Sequence, residues 1–394
     1  MIPELRKKYN SEFTQKRYDG FIDVLNSVYG YKIEFRIAET PIFLPLNFKN
    51  TLLTASGEIV NFLKSDAFKE ISKSAIPSGS EVLDENEFPE MLALDFAVCR
   101  DESGQLIPQL IELQGFPSLY CYQEFLNMKF REHFDIAPQY TNFFNGLDHN
   151  SYINMLKEII IGESDPENVV LLEIEPEKQK TRIDFSCAET WLGVKAVCIT
   201  DIIKDSRKLY YIKNGKRIQI ERIYNRVIFD ELKKRFDLKL SFSFQDKLEV
   251  KWIPHPNWFF KISKHTLPFL KSKYVPQTYF LHQLEKYPDD LENYVLKPLY
   301  SFAGAGVIYD VTIEILDSIK EKHNYILQKK INYEPVIETL DVPAKAELRL
   351  LFLWKDKPML VNNLVRLSKG KMMGVDFNKD KTWVGSSIGY YIKN

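Results

Sequence analysis

Apolar and polar positions change their period several times along the chain. Phe21, Val24, Leu25 and Val28 fall at helical spacing and Gly30 closes the run, so the first sixty residues read as helical. The stretches 92–98 (LALDFAV) and 106–114 (LIPQLIELQ) read as strands, with the polar CRDESGQ and its Gly104 as the hairpin turn between them. Residues 151–161 (SYINMLKEIII) read as an amphipathic helix. After GESDPEN the pattern becomes VVLLEI, then IDFSCAETWLG closed by Gly193, then KAVCITDI: strand, helix, strand, a βαβ unit. LYYIKNGKRIQI follows as a hairpin whose Asn214–Gly215 suits a type I′ turn. Further on, VLKPLYSFAGAGV (295–307) reads as a strand, a lysine and a glycine-containing loop, with a second strand beginning in VIYDVT. NYILQKKINYEP (324–335) is an apolar strand turning polar, and 344–370 reads as two strands joined by a polar turn at Lys355–Pro358. These changes divide the chain at about 165 and 255, and 394 residues suit two or three lobes.

Composition narrows the function. A formal net charge of −1 leaves no electrostatic footprint for nucleic acid or an anionic membrane. No apolar run reaches transmembrane length, and the charged first twenty residues lack the apolar core of a secretory signal. Cys99, Cys121, Cys187 and Cys198 form no C-x-x-C pair and read as reduced, buried thiols of a cytoplasmic protein. The six histidines show no helical metal spacing.

The chemistry concentrates in the last region. No Gly-Lys-Ser/Thr occurs, so there is no Walker A loop. Gly304 and Gly306 begin a dinucleotide fingerprint, but Tyr309 takes the place of its third glycine. What remains is a strand, Lys297 and an open loop whose backbone N–H groups face phosphate oxygens, or else a lysine snorkelling to water. Glu347 and Arg349 alternate with apolar residues on one strand, and Asn363 and Arg366 lie on or beyond the next. Charges inside an apolar strand need partners, either a salt bridge or a metal or phosphate.

VLKPLYSFAGAGV, YILQKKINYEP, AELRLLFLW and LVRLSKG occur in the order of an ATP-grasp ligase, and GVDFNKDKTWVGSSIGYY adds a late glycine-containing segment. No E-x-N motif follows Glu347. Its best match is QLIELQG, upstream at 109–115 and preceded by Asp95. That displaced order is circularly permuted, and residues 88–394 resemble eukaryotic-type glutathione synthetase and, more distantly, glutathionylspermidine synthetase-like proteins. The resemblance implies an α/β (α+β) ATP-grasp fold, circularly permuted, with an inserted βαβ substrate-type lobe. Residues 1–164 then hold N-terminal helices and the strand pair with the displaced motif, 165–254 the α/β lobe, and 255–394 the ATP-grasp lobes with their lid.

It further implies an ATP- and Mg²⁺-dependent carboxylate–amine ligase acting through an acyl phosphate, on small-molecule or peptide acids and amines, in the cytoplasm. Neither nucleic acid nor membrane is a partner, and a homodimer is compatible with it. Lys297 matches the ATP-phosphate lysine, and Lys264 in KISKHTLPFL an earlier ATP lysine. Ser301, Gly304 and Gly306 match the lid, and Gln328, Lys329 and Ile331 the strand and hinge that read adenine. Glu112 and Glu347 match the magnesium carboxylates, with Gln114 where the family has asparagine, and Arg366 the arginine near the acid. The Gln-Lys-Lys hinge lacks the family's acidic residue, so the ribose contact passes to Glu334 or Glu338. These departures keep two alternatives open: phosphotransfer to a hydroxyl, and a nucleotide-binding pseudoenzyme or interaction module that kept the fold.

Overall fold

In the computed structural model, which describes residues 1–116, 118–301, 304–370, 373, 378 and 380–393, the two apolar strand pairs of the sequence come together. They form one antiparallel five-stranded sheet in the order Gly385–Ser387, Pro358–Ser368, Lys345–Trp354, Met91–Arg100, Leu106–Gln114. Successive side chains of a strand point to opposite faces. Leu92, Leu94, Phe96 and Val98, with Leu348, Leu350 and Val365, pack in one core with Phe48, Leu52, Ala55 and Ile59 of the Leu46–Leu63 helix. The other face is divided. Met91, Ala93, Leu351 and Leu353 join a second core with Tyr120, Phe125 and Phe130 of the Tyr120–His133 helix, and the same parity puts Asp95, Glu347 and Arg349 further along.

The βαβ reading of 169–198 holds. Val169–Glu173 and Lys195–Cys198 are parallel neighbours joined by the Arg182–Leu192 helix, which ends at Gly193 with φ +74°. Arg222–Asn225 and Lys251–Ile253 extend the sheet on the opposite side, all parallel. The expected strand KAVCITDI stops at Cys198; a 3₁₀ turn follows, and Ile203–Asp205 joins a separate sheet with the hairpin Lys208–Lys213 and Lys216–Ile220. That hairpin turns through Asn214 (φ +51°) and Gly215 (φ +75°), as a type I′ turn requires. A small antiparallel sheet, Thr278–Phe280, Tyr325–Lys329 and Tyr294–Pro298, carries Lys297.

Several expectations need correction. The early helix runs Gln15–Ser27 and buries Phe21 and Leu25, but Val24 and Val28 are 38% and 45% exposed, so the apolar stripe is narrower than its spacing suggested. The first sixty residues also hold a two-residue strand, Ile42–Phe43. VIYDVT does not continue as a strand: Ile308 makes one bridge to Leu296, and a helix begins at Ile313. Cys198 is only partly buried, with Sγ 3.0 Å from the Thr200 hydroxyl. Among the described residues no helix is long and apolar enough to cross a membrane. Phe302 and Ala303 of the expected lid, and most of 371–379 in the late glycine-containing segment, lie outside the described residues.

Candidate active site

Register builds the site. Arg349 pairs with Asp95, Asp95 with Glu112 on the next strand, and Glu347 with Arg366 on the strand opposite. Cross-strand partners share a face, so the four strands aim these side chains to one side. Between Asp95 and Phe96 the pairing slips: Glu112 opposes Asp95 but Leu110 opposes Phe96, which leaves Ile111 as a bulge. Bulges of this kind re-aim neighbouring groups. Here the freed Ile111 carbonyl accepts a hydrogen bond from Lys297 Nζ at 3.4 Å, tying the small sheet to the edge of the central one.

The charges are close-set. Arg349 grips Asp95 bidentately, Nε to Oδ1 and Nη2 to Oδ2, both at 2.7 Å. Arg366 Nη2 donates to Asp95 Oδ2 at 3.1 Å and to Glu347 Oε1. Tyr333 donates its hydroxyl to Glu347 Oε2 at 3.3 Å. Lys264 Nζ lies 4.0 Å from Glu112 and donates to the Ser301 carbonyl at 2.6 Å. Gln114, two residues along from Glu112 and on its face, donates its amide to Glu112 Oε1. Asp95, Glu112 and Glu347 thus face Lys264, Lys297, Arg349 and Arg366, an excess of one positive charge that suits a polyanion. Burial pushes Glu347 above the usual carboxylate range against the pull of Arg366. Glu112 is also pushed up by burial, but Lys264, Arg349, Arg366 and Lys297 together hold it below that range.

Lys297 does not snorkel to water. Its ammonium donates to the Gln328 side-chain oxygen Oε1 at 2.6 Å, diagonally across the pair in which Val295 faces Gln328. Burial lowers it to about 8, against the pull of Glu112 and with a push from Lys264. Gln328 is buried and its amide also donates to Thr278, so the side chain is fully engaged. Beyond the lysine the loop doubles back: Gly304 and Gly306 have φ +76° and +72°, and a side chain at Gly306 would bring a carbon to 2.9 Å from Pro298. Both glycines therefore answer to backbone geometry.

Other expected residues sit apart. Lys329 is exposed and Ile331 half-buried where the strand leaves its sheet. Glu334 pairs with Arg100 at 2.9 Å, and its backbone N–H is held by the Val98 carbonyl, towards the far end of the central sheet. The segment between them crosses the charged row and delivers Tyr333, which the sequence reading missed. Gly115 was missed too. Its N–H donates to the Ile262 carbonyl at 2.9 Å, and a Cβ there would lie 2.4 Å from the Trp258 carbonyl oxygen, so only glycine lets the Glu112 strand end meet the segment bearing Lys264.

Glu112, Gln114, Phe116, Lys264 and Ser301 line one cleft. Phe116 carries the Arg226 guanidinium 5.0 Å over its ring. Arg226 and Asn225 lie where the parallel sheet reverses its strand order, beside Glu173, whose carboxyl burial pushes up to about 8. The carboxyl ends of strands at such a reversal are where open α/β sheets hold ligands.

Magnesium takes one or two carboxylates together with substrate phosphates rather than an all-protein cage. Among the described residues no group of three or more His, Cys, Asp or Glu side chains has metal-holding geometry. The donors that exist, Glu112 and Glu347 beside a positive surplus, fit an ion that arrives with phosphates. Two buried polar atoms nearby, Ser301 Oγ and Arg366 Nε, have no hydrogen-bond partner among the described residues, as groups awaiting a polar ligand would.

No family model matches the sequence, and no curated protein matches it. Among solved structures, that of a glutathione synthetase-like effector from Globodera pallida, in its apo form, superposes with a TM-score of 0.59 at 10% identity, covering 96% of each chain. Near-complete coverage at so low an identity is a likeness of architecture, and the chain therefore has a glutathione synthetase-like fold.

Proposed function

We propose that this protein is a circularly permuted ATP-grasp ligase that joins a carboxylic acid to an amine at the expense of ATP. The observation that supports it most is the row Glu112–Asp95–Arg349 with Glu347–Arg366, met by Lys297 and Lys264 from separate elements. Phosphoryl transfer needs little covalent chemistry from a protein; it needs positioning and charge neutralisation. Lys297 and Lys264 take up charge on the phosphates, and the backbone around Gly304–Gly306 covers them. Gln328, Lys329 and Ile331 run beside the base, and Glu334 would reach a ribose only by leaving its Arg100 partner. Glu112 and Glu347, with Gln114 at their side, would hold Mg²⁺, which neutralises phosphate charge when bound. Arg366 orients the acid through its planar fork.

A carboxylate oxygen attacks the γ-phosphorus, the bond to the bridging oxygen breaks and ADP leaves, giving an acyl phosphate. The amine then attacks the acyl carbon, phosphate departs and the nitrogen loses a proton. A closed loop over the site keeps water from that intermediate. The strand ends bearing Glu173 and Asn225, linked to that cleft through Arg226 over Phe116, are a place for the rest of a substrate. Four free cysteines suit a reducing compartment, and we place the reaction in the cytoplasm.

One observation favours a second reading, nucleotide binding without turnover: Arg366 already sits on Glu347. An ADP-release screen over pooled acids and amines, with mass spectrometry of the products, separates the two. Amine-dependent ADP release with a condensed product supports the ligase; protection by Mg-ATP with no release in any pool supports the binding module.

A further inference from the structure

We propose that Arg366 is a movable counter-ion, parked on the carboxylate that would receive the metal, and that cation loading at Glu347 releases it towards the acid substrate. The inference rests on the ligase reading above and deepens it. Two arginines serve the row, and they are not equivalent. The Arg349 side chain is 10% exposed and satisfies both oxygens of the fully buried Asp95 by itself. Arg366 is 38% exposed and reaches the row through one nitrogen, Nη2, shared between Asp95 and Glu347, while its Nε is buried without a partner among the described residues.

The asymmetry decides which cation can leave. Removing a partner from a buried ion pair strands a charge and is strongly unfavourable. If Arg366 departs, Asp95 keeps its bidentate arginine, and Glu347 keeps the Tyr333 hydroxyl and gains the incoming ion. If Arg349 departed, Asp95 would keep only a 3.1 Å contact. A divalent ion and a guanidinium on the same carboxylate repel each other, so the two compete for Glu347. Metal–nucleotide loading therefore frees the fork that holds the acid. By linkage, whatever factor Arg366 subtracts from metal affinity is returned as affinity for the acid.

The test is Mn²⁺ binding, read from the free-ion electron paramagnetic resonance signal at saturating β,γ-methylene ATP, which does not turn over. Arg366→Gln should take up Mn²⁺ about tenfold more tightly than wild type, and Arg366→Lys, which keeps the charge but cannot bridge two carboxylates, about threefold. Glu347→Gln should bind it at least tenfold more weakly. Affinity for the nucleotide itself is measured alongside, because loss of a phosphate contact would move it the other way. If neither Arg366 variant gains Mn²⁺ affinity while wild type binds it, the parked-arginine inference is overturned and the ligase reading stands. If wild type and both variants take up no Mn²⁺ with nucleotide, the ligase reading itself fails. The lysine variant decides the question should the glutamine variant not fold.

Discussion

Replacing Lys297 by methionine separates the cost of a desolvated ammonium from its use. The group falls from the ordinary lysine value of 10.5 to about 8 in the folded chain. A fall of that size corresponds to about 3 kcal/mol of charge burial at neutral pH, a ceiling for a half-buried side chain. Methionine removes that cost, but it leaves the buried Gln328 oxygen without its donor, a loss of about 1–3 kcal/mol. At pH 7 the two effects nearly offset each other, and the variant should lie within about 2 kcal/mol of wild type. The pH dependence is sharper. Between the folded value near 8 and the unfolded value near 10.5, the unfolded chain binds more protons at this site, so wild-type stability rises with pH there. The methionine variant lacks that rise. Urea unfolding of both proteins at pH 7, 8, 9 and 10 should show wild type gaining up to about 3 kcal/mol on the variant across the window. A difference that stays flat with pH would mean that Lys297 is solvated, and the reading of the site from its burial would fall. In the same series the variant should show no stabilisation by Mg-ATP, and wild-type nucleotide binding should weaken above pH 8.

Mg-ATP should raise the melting temperature of wild type by a few degrees, on the order of 2–3 kcal/mol at saturating ligand, with the shift lost in EDTA and in Glu112→Gln; equal shifts with and without EDTA would count against the metal. Gln114→Leu should raise the magnesium concentration needed for half-maximal nucleotide stabilisation, while Gln114→Asn, which keeps a carbonyl on the same face, should change it little; equal requirements in leucine and wild type would make Gln114 structural. Gly115→Ala should destabilise by about 1–3 kcal/mol and weaken nucleotide binding, because its Cβ meets backbone at the Trp258 carbonyl and the strand end must shift; a melting curve superimposable on wild type would show that the close approach is not needed.

The elements of the site were legible in the sequence, and its assembly was not. Glu347 and Arg349 stand out as charges at alternating positions of an apolar strand, because burying a charge demands a partner. Nothing local names that partner. Asp95 lies 254 residues from Arg349 and reads as one acid in LALDFAV; only the pairing of their strands makes it the centre of the row. The same holds for Ile111, whose bulge is a property of two strands together, and for Gly115, whose lack of a side chain matters only against Trp258. VIYDVT shows the converse. Its β-branched residues favour a strand, but among the described residues the ladder there amounts to a single bridge, Ile308 to Leu296, and a helix begins at Ile313. Tyr333 left a faint signal, an aromatic among polar residues after the hinge, and its role appears only where the segment crosses Glu347.

The order of strands in the central sheet has a consequence during synthesis. Met91–Arg100 is flanked by Lys345–Trp354, and Arg349 reaches Asp95 only when the two meet. At about 5–20 residues per second, a ribosome takes about 10–50 s to cover the 254 residues between Asp95 and Arg349. Throughout that interval MLALDFAVCR has one partner, Leu106–Gln114, and an open edge towards the strand not yet made. An apolar, β-prone hairpin with an unpaired edge is a template for association with other nascent chains. Truncation before Lys345 should therefore yield aggregates instead of a folded N-terminal fragment, and slowing growth at low temperature or supplying a holdase should raise the soluble yield of the full chain.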